Sequence, residues 1–228
     1  MSIKLWASAL ALLAGAQTAQ AYMPMPGSFD IDNEGWQVVD FLSPNQYLLP
    51  GATYSANFQA SGGNTDGYID FADPSSGSFY FAADVNFRGD LSAFLGGQLN
   101  YSQKVNSGNN SQWRDDPDVV IVSGGQAFVY QNAANPGSDW TSFSVALGSN
   151  GWHKGNLSGA AVSDAEFQSA LGNVSALYLR GEYINGVVET TGLDAVYLST
   201  AAVPEPETYA MLLAGLGVVA LARRRRQA

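Results

Sequence analysis

An all-β architecture, a sandwich or a barrel, is the fold class that this sequence predicts. Three observations predict it. Period-2 alternation of apolar and polar residues recurs in short runs rich in Val, Ile, Thr, Tyr, Phe and Trp. Clusters of Gly, Asn, Asp and Ser punctuate those runs, as turns require. Long helical periodicities that would alternate with strands in a βαβ pattern are missing from the body of the chain. In order, the strands are read at 36–41, 53–58, 68–71, 78–83, 98–105, 119–123, 127–130, 141–146, 176–183 and 195–198. One short connector helix is expected after Val162. Ser163-Asp164-Ala165-Glu166 spells a capping box, and Val162 and Phe167 stand as the N′ and N4 residues of a hydrophobic staple. Leu171 closes its apolar face and Gly172 is the expected C′ stop.

Composition narrows the chemistry. The chain has 228 residues, 46% hydrophobic, 12% aromatic and 13% charged, which is incompatible with disorder. A domain of roughly 180 residues buries about 70% of its unfolded surface and folds without staples. The absence of Cys removes thiol catalysis, zinc-thiolate sites, iron–sulfur clusters and disulfides together. A net charge of −10 argues against nucleic acid as a partner, because phosphates call for clustered Lys and Arg.

Both ends read as addresses. Residues 1–21 form a secretory signal peptide: Lys4 supplies the positive start, residues 5–16 the apolar stretch, and Ala19-Gln20-Ala21 the small-x-small cleavage rule for signal peptidase. Residues 203–228 form a tail in which Pro204-Glu205-Pro206 breaks regular structure ahead of an apolar helix. The fourteen residues 209–222 would span about 21 Å, short of a ~30 Å hydrocarbon core. Arg223, Arg224, Arg225 and Arg226 then hold the C-terminus on the cytoplasmic side, so the helix anchors the chain in the inner membrane with its body facing out. Between these ends the body carries five cationic side chains against eighteen carboxylates. It repels anionic polymers at long range and attracts divalent cations.

The order of Pro204-Glu205-Pro206, the Gly-containing helix and the arginine cluster resembles the PEP-CTERM protein-sorting tail of Gram-negative bacteria that make extracellular polysaccharide. That resemblance implies recognition by an exosortase, cleavage near the proline motif after transient anchoring, and release to the cell surface or matrix.

Residues 22–202 carry a second set of landmarks: Glu34-Gly35-Trp36, Gly67-Tyr68-Ile69-Asp70, Phe79-Tyr80-Phe81-Ala82-Ala83 and Phe87-Arg88-Gly89-Asp90-Leu91-Ser92. Gly96-Gly97-Gln98-Leu99, Asp118-Val119, Trp140-Thr141, Gly151-Trp152, Leu179-Arg180-Gly181-Glu182-Tyr183 and Gly192-Leu193-Asp194 follow in order. This series resembles a laminin B (laminin IV type A) domain. The resemblance implies an antiparallel jelly-roll sandwich similar to galactose-binding-like domains, of a non-catalytic adhesion or glycan-binding class. Such sandwiches often hold a structural Ca²⁺ where the N-terminal segment meets the last strand, which implies Asp32, Glu34 and Asp194 as its ligands. The alternative for these acids is a solvated loop.

Nothing in the residues spells an enzyme. The single His153 lies in a loop-like segment, and no G-x-S-x-G nucleophile elbow exists. Carboxylates are plentiful, so an extracellular glycan hydrolase built on a carboxylate pair stays as the alternative function. Acids such as Asp73 and Asp115-Asp116-Pro117-Asp118 read as turn formers. For glycan binding the chemistry is aromatic faces flanked by polar groups. Alternation groups Tyr178, Arg180 and Glu182 on one face and Tyr68 with Asp70 on another. If these faces line a concave side, they form a saccharide cleft; otherwise Arg180 and Glu182 form a buried ion-pair network with tyrosines at the rim. Trp113, Trp140 and Trp152 are rival contacts. The expected partners are therefore signal peptidase, exosortase, the membrane before processing, and extracellular polysaccharide or another envelope component.

Overall fold

The computed structural model describes residues 27–42, 45–75, 77–106 and 115–201, with Leu216 alone beyond them. The signal peptide (with Ala19 and Ala21), Trp113, and the tail with Pro204, Glu205, Pro206, its apolar helix and Arg223 to Arg226 lie outside the described residues. Among those described, no helix is long and apolar enough to cross a membrane.

Two antiparallel sheets face each other. The strands are β1 (Gln37–Phe41), β2 (Thr53–Ser55), β3 (Asn57–Gln59), β4 (Tyr68–Ala72), β5 (Ser78–Ala82) and β6 (Gln98–Asn106). They continue with β7 (Val119–Ser123), β8 (Gln126–Tyr130), β9 (Thr141–Ala146), β10 (His153–Lys154), β11 (Val174–Arg180) and β12 (Thr190–Ser199). One sheet has seven strands in the order β10-β8-β7-β11-β5-β1-β2, the other five in the order β3-β4-β12-β6-β9. The expected strand at 53–58 is two strands, because the chain turns at buried Ala56 and passes from one sheet to the other. The strand expected at 176–183 ends at Arg180, which removes Glu182 from its register.

Side-chain alternation fills the space between the sheets with Val38, Ile69, Phe79, Phe81, Leu99, Val119, Ile121, Leu177, Leu179, Leu193 and Leu198. Trp36 is fully buried there and meets Phe29 and Phe87 edge-on at 5.7 and 5.4 Å. β5 and β7 are buried on both faces, which explains their unbroken apolar runs FYF and VVIV. Helix α1 (Asp164–Leu171) closes one end. Its Ser163 hydroxyl accepts from the Glu166 amide and Glu166 returns the bond, as the capping box predicts. Val162 and Phe167 join the core. Gly172 differs from expectation: it ends the helix in right-handed geometry, φ −68°, instead of the left-handed cap.

Candidate functional site

The outer face of the five-stranded sheet is the open one. Alternation sends Ile69, Leu99, Leu193 and Val145 inward and leaves Asn57, Gln59, Tyr68, Asp70, Asn100, Ser102, Lys104, Ser142 and Ser144 on the other side. On β12 one extra residue interrupts the ladder. Asp194 pairs with Ser102 and Tyr197 with Asn100, so three steps on β12 oppose two on β6. Ala195 sits at the bulge with φ 52°, its amide held by Asp194 Oδ1 at 2.6 Å. The slip reverses the face of everything after it, which brings Val196 and Leu198 into the core and swings Tyr197 outward.

Two features share this face. At one end, Tyr68 and Trp140 meet edge-on at 5.3 Å, with the Lys104 ammonium 4.1 Å over the first ring and 4.5 Å over the second. Lys104 Nζ and Trp140 Nε1 both donate to the Gly62 carbonyl at 3.0 Å. Gly192 makes room for them: a Cβ there would stand 3.1 Å from the Trp140 ring and 3.2 Å from the Lys104 chain. Asp70 accepts from Gln59 at 3.1 Å and Asn57 at 3.3 Å. At the other end, Asn64, Asn100, Ser102, Ser142, Ser144 and Tyr197 line a groove of about 220 Å³. Its hydroxyls are already aligned, Ser102 with Ser142 at 3.0 Å and Ser144 donating to Asn100 at 2.8 Å. The loop between them is pinned by Asp194 Oδ2, which accepts the Asn64 and Thr65 amides at 2.6 and 3.1 Å. Burial raises the pKa of Asp194 despite those bonds.

The five residues expected to form one cleft are not brought together. Tyr68 and Asp70 lie on this open face, half-buried. Tyr178 lies on the outside of the other sheet, 8% exposed, in a second apolar cluster with Val39, Phe41, Tyr47, Tyr80, Val120 and Val129. Arg180 is fully buried. Its Nε donates to the Glu182 carbonyl at 2.6 Å and its Nη1 to the Asp116 carbonyl at 2.9 Å and Asp118 Oδ1 at 3.3 Å. The guanidinium also lies 4.4 Å over the Tyr183 ring. A buried network stands here, as the alternative reading expects, but its printed ion pair is with Asp118, and Glu182 enters it through its backbone carbonyl. Asp116 and Asp118 thus serve as interior partners and not as solvated turn residues. Nearby Glu189, 1% exposed, takes the Tyr183 and Ile184 amides on Oε1, and burial pushes its pKa up to about 7.

Asp32, Glu34 and Asp194 do not form a shared cation cage. Asp32 Oδ1 accepts the Glu34 amide at 2.7 Å and Glu34 Oε1 the Phe29 amide at 2.8 Å, while Asp194 is spent on the loop amides. Among the described residues no group of three or more His, Asp or Glu side chains is arranged to hold a metal ion. His153 falls in β10, half-buried, its Nδ1 3.0 Å from the Gly159 carbonyl. Trp152 is core, and its Nε1 donates to the Ala146 carbonyl at 3.1 Å. Lys104, Tyr197 and the Asn100, Ser142 and Ser144 set were not foreseen. The last two lie in plain alternation on β9, whereas Tyr197 is concealed by the bulge.

The solved L4b domain of human laminin alpha-2 superposes with a TM-score of 0.57 over 72% of this chain and 90% of that one, at 16% identity. The family 11 carbohydrate-binding module of cellulosomal cellulase Lic26A-Cel5E of Clostridium thermocellum gives a TM-score of 0.45 over 76% and 86%, also at 16% identity. None of the curated proteins compared matches. A PEP-CTERM protein-sorting motif matches residues 202–226, so the chain is exported to the cell surface and carries the signal for exosortase processing. The profile of Laminin B (Domain IV) matches residues 80–212, more than half of the chain, and the protein accordingly belongs to the laminin B family.

Proposed function

We propose that the protein is a non-catalytic, surface-displayed glycan-binding domain whose ligand lies on the outer face of the five-stranded sheet. One observation carries the reading: a pair of half-exposed rings, Tyr68 and Trp140, stands beside a groove of aligned amides and hydroxyls on the outer face of the five-stranded sheet. Apolar sugar faces stack on rings, and sugar hydroxyls take the place of water at Asn and Ser groups. Export by a sorting signal supports a ligand met outside the cell. The hydrolase reading asks for two carboxylates across an open cleft, one able to give a proton. On this face Asp70 is tied to Asn57 and Gln59, and Asp194 to three amides. That supports binding over turnover.

The test is a glycan array run beside a sugar-release assay on the producer's own polysaccharide, with Trp140→Ala as the paired variant. Retention of the wild-type chain and loss of about tenfold or more in Trp140→Ala is the expected result. Sugar release would replace this reading with the hydrolase.

A further inference from the structure

We infer that the ligand is an uncharged glycan of several linked residues, laid along β6 from the Tyr197 groove to the Tyr68–Trp140 pair; this rests on the glycan-binding reading above. Length comes first. Asn100, in the groove, and Lys104, at the rings, are both outward residues of β6. Four residues of strand separate them by about 14 Å, more than one sugar ring covers. The Gly62 to Thr65 segment stands between the two features, anchored below by Asp194 and at its edge by Lys104 and Trp140. A ligand that uses both ends passes over this segment and so has more than one unit.

Charge comes second. Among the described residues Lys104 is the cation on this face, and its ammonium is committed to two rings and the Gly62 carbonyl. The other described cations lie elsewhere. Arg88 binds the Ala83 carbonyl, Lys154 pairs with Glu166 at 2.7 Å, and Arg180 is buried. Beside the face stand Asp66, whose carbonyl accepts the Gly63 amide, Asp70, and Asp139, whose carbonyl accepts from Thr141, in a body of five cationic side chains and eighteen carboxylates. Acidic sugars would meet like charge here, whereas neutral ones meet amides, hydroxyls and rings.

The experiment is titration of the purified full-length chain, at low salt, with neutral oligosaccharides of one to six units and with uronate-containing oligosaccharides of the same lengths. Expected is an affinity for neutral probes that rises about tenfold or more between one and four units, with uronates at least that much weaker. Tyr197→Ala and Trp140→Ala, each checked for cooperative unfolding, should each abolish the gain with length. Uronates binding as well as neutral chains would overturn the charge assignment and leave glycan binding standing. A single sugar binding as tightly as a hexamer would overturn the two-ended path. No binding to any probe by a folded chain would overturn the inference together with the reading beneath it.

Discussion

The two outer faces of this sandwich are built from the same alternation and end in opposite states. On the seven-stranded sheet, Tyr80, Tyr178, Val120 and Val129 are covered by the loop that carries Tyr47 and by Leu157, and become a second core. Phe41 meets Tyr47, Tyr80 and Tyr178 edge-on at 5.3 to 5.6 Å there, and burial pushes the Tyr47 hydroxyl up to about 12. On the five-stranded sheet, Tyr68, Trp140 and Tyr197 stay half-exposed among amides and hydroxyls. A tyrosine on a strand is therefore structural on one face and available on the other. What decides is whether apolar loop residues such as Tyr47 and Leu157 fold back over it.

The sharpest way to break the contrast is at Arg180. Removing it leaves Asp118 buried at 2% side-chain exposure beside no cation of its own. Arg180→Met should destabilise the fold by about 3–5 kcal/mol, read by urea unfolding. What remains folded should bind glycan as before. Weakened binding at unchanged stability would show that the covered face does take part in recognition. Tyr178→Ala comes next. It opens a hole among packed rings and should cost about 3 kcal/mol, again without changing the affinity of the folded fraction.

Glu189 sharpens the same comparison through pH. Its carboxyl ionises near pH 7 in the fold against 4.5 for the ordinary side chain. The folded state therefore holds the proton more tightly than the unfolded one. Stability from this group is complete below pH 4.5 and is lost as pH rises through 7. Glu189→Gln removes the effect while keeping an oxygen for the Tyr183 and Ile184 amides. The unfolding free energy of the variant relative to wild type should rise by about 2–4 kcal/mol between pH 4.5 and 8. A flat difference would mean that Glu189 is already charged, or already neutral, throughout.

How legible all this was differs by region for physical reasons. Strand positions, the capping box and the continuous burial of β5 and β7 follow from local pattern, and Asn57 to Gln59 escaped only because a change of sheet leaves no break in alternation. Tyr68 and Asp70 share a face because β4 keeps strict period 2, but the period does not say that this face is the outer one. Tyr178 with Arg180 obeys the same period, yet its face is covered by residues over a hundred positions away in the chain, Phe41 and Tyr47. Asp32 and Glu34 turn to amides of their own loop and Asp194 to those of Asn64 and Thr65, pairings that the spacing of the three acids does not reveal. Trp140 needed Gly192 beneath it, a long-range fit that spacing does not reveal.

The smallest expected effect on stability is also the most discriminating. Tyr197 is outward only because β12 carries one residue more than its partner strand between Asp194 and Tyr197. Its ring borders the groove and packs in neither of the two large cores. Tyr197→Ala should therefore cost less stability than Tyr178→Ala, while glycan affinity falls about tenfold. Deleting Ala195 tests the same point from the backbone. Without the extra residue, strict alternation would return Tyr197 to the interior and push Val196 and Leu198 out of the core, so the deletion should unfold the sheet where the point variant does not. A Tyr197→Ala chain that unfolds like a core variant, at much lower denaturant and with binding lost only in proportion, would make this ring a packing residue after all and erase the difference between the two faces.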